Sequence, residues 1–103
     1  MFKEALGETS PKGESGDFNF YTTPWVSGTR VAHFTGPVGG ERKVTTIPEV
    51  LVALKEILKD MAQTCVDLGA NSVIGMEVNI ELLDPSGYRV WVVGTGAKLE
   101  ALF

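Results

Sequence analysis

Cysteine, histidine and basic residues are all scarce in this chain of 103 residues, and each shortage removes a class of function. A single cysteine, Cys65, cannot close an intrachain disulfide, which excludes a secreted disulfide scaffold. Nine Lys and Arg against 13 Asp and Glu leave a net charge of −4 and a pI near 4.9. Binding a polyanion needs clustered cations, so nucleic acid is not an expected partner. No apolar run approaches the roughly 20 residues that span a bilayer, so no membrane partner is expected. The start, Met1 to Gly7, lacks the apolar stretch of a signal peptide. A cytoplasmic location follows as the expectation.

What is present fits one folded domain. Apolar residues make up 44% and charged residues 21% of the chain, the balance of a globular protein, and its length leaves no room for a second core. Gly7, Pro11, Gly13 and Gly16, set among small polar and charged residues, predict a flexible tail over residues 1–17. The folded domain is then 18–103. Phe18-Asn19-Phe20-Tyr21 alternates weakly, and a strand is expected from Thr29 to Thr35. Gly36 to Glu41, with Pro37 and the pair Gly39-Gly40, reads as a turn or loop.

The helix is the clearest signal. Thr46-Ile47-Pro48-Glu49 fits a capping box, with proline where the first-turn amides have no helical partner. Val50, Leu51, Leu54, Ile57, Leu58, Met61, Cys65 and Leu68 recur at the spacing of one buried stripe, and Gly69 supplies the stop. The period then changes from 3.6 to 2. Met76, Val78, Ile80 and Leu82 point one way and Glu77, Asn79 and Glu81 the other. Asp84-Pro85-Ser86-Gly87 makes a turn, and a strand returns from Tyr88 to about Leu99. The predicted fold is α+β: strand–helix–strand–strand, one long helix on a small antiparallel sheet.

Val90-Trp91-Val92-Val93 is apolar on both faces, yet one helix can cover only one face of a small sheet. The other face exposes Trp91 and Val93, with Trp25 a further candidate, and a second subunit is the expected cover. Folding back of the N-terminal segment is the plainer alternative.

Phe20-Tyr21-Thr22-Thr23-Pro24, Gly28-Thr29, the run Asp67 to Val78 with its Leu68-Gly69-Ala70-Asn71 core, and Gly94-Thr95-Gly96-Ala97 together resemble the YbjQ-like family of small bacterial proteins. That resemblance implies a dodecin-like fold assembled as a ring, typically a pentamer, in a family that carries a heavy-metal-binding label. Two departures stand out. Only Gly36 to Thr45 fills the space where the family has a longer segment with a short helix of its own. Thr35 or a neighbour stands where the family has a cysteine.

The candidate metal ligands are His33, Glu77 and Glu81, with Cys65 and Asn79 behind them. Glu77, Asn79 and Glu81 share one strand face about 7 Å apart, a spacing suited to a hard cation. Each has a plainer reading. Cys65 lies in phase with the buried stripe, His33 is a lone strand histidine, and the acidic row is equally a solvated face. Trp25 and Trp91 are the candidates for stacking a flat cofactor, since dodecin-like assemblies hold such molecules between subunits. No phosphate loop, dinucleotide fingerprint or nucleophile with an orienting base is present. The reading is a non-enzymatic self-assembling domain with metal or small-ligand binding at subunit junctions. The alternatives are an enzyme with an intersubunit site around His33, Glu77 and Glu81, or a scaffold that docks through its tail.

Overall fold

The computed structural model describes residues 18–102; the expected tail over 1–17 lies outside the described residues. The described chain runs β1 (Asn19–Phe20), β2 (Thr29–Val44), α1 (Ile47–Asp67), β3 (Ser72–Leu82) and β4 (Tyr88–Ala101). The architecture is α+β, one helix packed on a four-stranded sheet of order β1-β3-β4-β2. β4 is antiparallel to both β2 and β3, as expected, but β1 pairs in parallel with β3 through Asn19–Ser72 and Phe20–Val73. The sheet is therefore mixed rather than purely antiparallel. Phe18 and Phe20, buried with ring centroids 5.2 Å apart, anchor that short parallel edge.

The helix forms where its caps predict. The Glu49 carboxylate accepts from the Thr45 and Thr46 amides at 3.1 and 3.0 Å and from the Thr45 hydroxyl at 2.9 Å. These bonds favour the ionised carboxylate and hold its pKa below the usual value, the Thr45 hydroxyl contributing most. At the other end Gly69 takes φ +92°, and the Ala70 amide returns to the Cys65 carbonyl at 2.8 Å. Ala53 is buried, and Ile57, Leu58, Met61 and Cys65 share one core with Val90, Val92 and Val73 of the sheet.

Two expectations need correction. The segment Gly36 to Glu41 is not a loop, because β2 continues unbroken to Val44, paired along its length with β4. Gly39 and Gly40 serve close approach instead of a turn, while Gly36 takes φ +111° at an irregularity in the pairing. A Cβ on Gly40 would lie 2.9 Å from Ile57 of the helix, so the missing side chain lets α1 lie low on the sheet. Pro37 is tolerated because β2 is an edge strand among the described elements. The helix stripe is also narrower than its period suggests, since Leu51 and Leu68 are exposed. α1 sits mainly over β2 and β4, which uncovers its flank on the β3 side, and Leu68 already lies beyond the helix end.

Candidate functional site

β4 acts as a ruler for the sheet surface that α1 leaves open. Glu81 and Lys43 both lie opposite Arg89, Asn79 and Glu41 opposite Trp91, and Glu77 and Gly39 opposite Val93. Strand alternation puts all nine residues on the face away from the helix. The acidic row expected on β3 and the tryptophan expected on β4 are thus neighbours on one surface.

Arg89 organises the centre of this face. Its guanidinium pairs with Glu41 on one side, reaches Glu81 at 3.4 Å on the other, and lies 4.3 Å from the centre of the Trp91 ring. The hydrogen bond to Glu41 raises its already high pKa, with Glu81 adding to the effect, so the cation persists at all ordinary pH. Cation–π contact and the two carboxylates hold the side chain over the indole. One face of Trp91 is consequently occupied by Arg89. Glu77 and Lys43 have no ion-pair partner among the described residues. Val93 remains 43% exposed beside them.

The other expected ligands lie elsewhere. His33 is exposed on β2 opposite Lys98, near the helix-terminating Gly69. Measured along β4 from Arg89 to Lys98, that is roughly 30 Å from Glu81 and about half as far from Glu77. Among the described residues no three His, Cys, Asp or Glu side chains come together as a metal site. Trp25 is exposed in the connection between β1 and β2, where the Thr23 hydroxyl donates to its carbonyl at 2.7 Å. Cys65 is buried under the sheet, and desolvation pushes its thiol pKa up. Its sulfur and the Thr35 hydroxyl both crowd Gly96, where a Cβ has no room.

The sequence reading missed Arg89 and Glu41. Turn position alone misplaces Arg89: counting outward from Asp84–Gly87 sets it against Leu82, one residue off the observed register. In that register the Leu83 amide donates to the Gly87 carbonyl and Arg89 falls opposite Glu81. Glu41 was hidden because its segment read as a loop.

A groove of about 280 Å³ opens between the end of β2 and the start of α1, lined by Lys43, Val44, Val52, Ala53 and Glu56 among others. Apart from Lys43, its charges are already engaged. Arg42 pairs with Asp60 at 2.7 Å and approaches Glu56 at 3.9 Å, and Glu49 caps the helix. No helix among the described residues is long and apolar enough to cross a membrane.

Fold and surface together define a one-helix α+β domain with an open, charge-patterned sheet face and no assembled metal cluster among its described residues. The chain belongs to the YbjQ family, whose model, described as "Putative heavy-metal-binding", matches residues 30–100. It is similar to a UPF0145 protein of Listeria ivanovii, with 38% identity over 55 residues, 52% of this chain and 50% of that protein. The chain spans about half the length of that curated relative. A crystal structure of a DUF74-family protein of unknown function from Pediococcus pentosaceus aligns with a TM-score of 0.46 and 13% identity, over 82% of this chain and 97% of that one.

Proposed function

We propose that this chain is a non-enzymatic, self-assembling domain whose copies hold a metal ion or small ligand at the junctions between them. The observation that carries the reading is the uncovered apolar surface of β3: Ile80 and Leu82, neighbours on its helix-side face, are 55% and 72% exposed. Contiguous apolar surface of this kind marks an interaction site. The family's heavy-metal description supports a metal reading, and the spacing of His33, Glu77 and Glu81 within one chain means that a site using them draws on more than one copy.

Light scattering and native mass spectrometry on protein purified without chelators test this directly. The expected result is a defined multimer at micromolar concentration that retains a bound ion or small molecule. A monomeric mass would overturn the assembly, and a multimer free of ligand, with no binding on titration of zinc or copper, would overturn the junction site alone.

A further inference from the structure

The sheet ends in two edges that the described strands leave open. β1 covers β3 only at Ser72 and Val73, with the Tyr21 and Thr23 carbonyls taking the Met76 and Gly75 amides. From Glu77 to Leu82 no described strand pairs with the outer side of β3, and none pairs with the outer side of β2. Rows of free backbone donors and acceptors recruit another strand. Pro37 deletes a donor from β2, which leaves the stretch after it as the better template.

The side chains beside these edges differ in a way that selects the partner. On the open face β3 carries the acidic Glu77 and Glu81, and β2 carries Lys43 beside Glu41, whose carboxylate is already paired with Arg89 of its own chain. Two β3 edges would set acidic rows against each other, and two β2 edges would bring their lysines together. One edge of each kind puts the lysine against the acids. On the helix face the match is apolar. β3 offers the exposed Ile80 and Leu82, while β2 ends at Val44, beneath the groove that Val52 and Ala53 help to line. The heights agree as well. Leu82 and Val44 both lie opposite Tyr88, just as Glu81 and Lys43 both lie opposite Arg89. β2 and β3 are each antiparallel to β4 and so parallel to one another. A rotation relating two copies can therefore extend the sheet with both helices on the same side.

We infer that residues Gly39–Val44 of one copy pair in parallel with Glu77–Leu82 of the next. Lys43 meets the acidic row on one face, and Leu82 enters the groove between β2 and α1 on the other. This inference rests on the self-assembly reading and adds the joint. The contact is head-to-tail, so successive copies can close a ring.

The test uses the full chain carrying Lys43→Cys together with Glu81→Cys or, for a staggered register, Glu77→Cys. Within one copy β4 separates the Lys43 and Glu81 positions by about 10 Å, beyond disulfide reach. Oxidation should yield a ladder of covalent multimers on non-reducing denaturing gels that neither single variant gives. A second variant, Leu82→Asp, should lower the mass by light scattering to one chain with the helical circular dichroism kept, since Leu82 is 72% exposed in the single copy. If the protein is a multimer but neither pair cross-links and Leu82→Asp leaves its mass unchanged, the joint is overturned while self-assembly stands. A wild-type chain that is monomeric overturns both.

Discussion

The two faces of this sheet carry the same strands and are held by different physics. Toward α1, Val90 and Val92 alternate with residues that never meet the helix, and they pack on Ile57, Leu58 and Met61 with almost no exposure. Away from α1, Arg89, Trp91 and Val93 stand one position out of phase from those valines and meet charge instead. Glu41 and Glu81 grip the guanidinium that lies over the indole. The covered face is non-directional hydrophobic burial, which stabilises the fold. The open face is a lattice of exposed polar contacts, individually worth little and better suited to orientation and specificity. One face explains why the chain folds; the other is where a partner or ligand would register.

The contrast breaks first where it is strongest. Ile57→Ala should cost about 3 kcal/mol, within the usual range of 2–5 for a buried aliphatic, read as a lower denaturant midpoint with an unchanged slope. Gly96→Ala attacks the same face by overpacking. Its new methyl would collide with the Thr35 hydroxyl and the Cys65 sulfur, for an expected loss of about 1–3 kcal/mol in the same assay.

On the open face Trp91→Ala should cost about 1–2 kcal/mol at a concentration where the chain is monomeric, because the ring is only half-buried. A loss equal to that of Ile57→Ala would mean that this face is covered even in the single chain, and the distinction between the faces would fall. The smallest effect belongs to the helix cap. Glu49 is held below the ordinary carboxylate range, so its contribution is complete above the unfolded value of about 4.3 and disappears as pH drops through the lowered folded value. Glu49→Gln should therefore lower the Tm slightly at neutral pH, with the difference from wild type shrinking in acid. A constant difference would place the effect outside ionisation.

The parts legible in the sequence are those whose causes are local. The capping residues around Thr46 and Glu49, the stripe from Val50 to Cys65, the stop at Gly69 and the turn over Asp84–Gly87 each depend on neighbours within a few residues. Alternation on β3 likewise put Glu77, Asn79 and Glu81 on one face before any partner strand was known. The β2 segment failed for the opposite reason. Whether Gly39 and Gly40 break a strand or admit a helix depends on Ile57 and Val92, residues far away in the chain.

The same divide runs through the candidate site. Glu81 and Trp91 share one face because a hairpin joins their strands, although the exact register is set by the closing bond between Leu83 and Gly87. His33 stays apart from Glu81 because the β2–β4 register, set by long-range pairing and two bulges, carries it toward the far end of the sheet. Periodicity and capping chemistry thus determined the helix, the hairpin and the surplus of apolar surface on β4. Only the tertiary structure decided where the helix rests, how long β2 runs, which side chains share a face and which strand edges remain open, because those outcomes depend on contacts between residues that the chain itself does not place side by side.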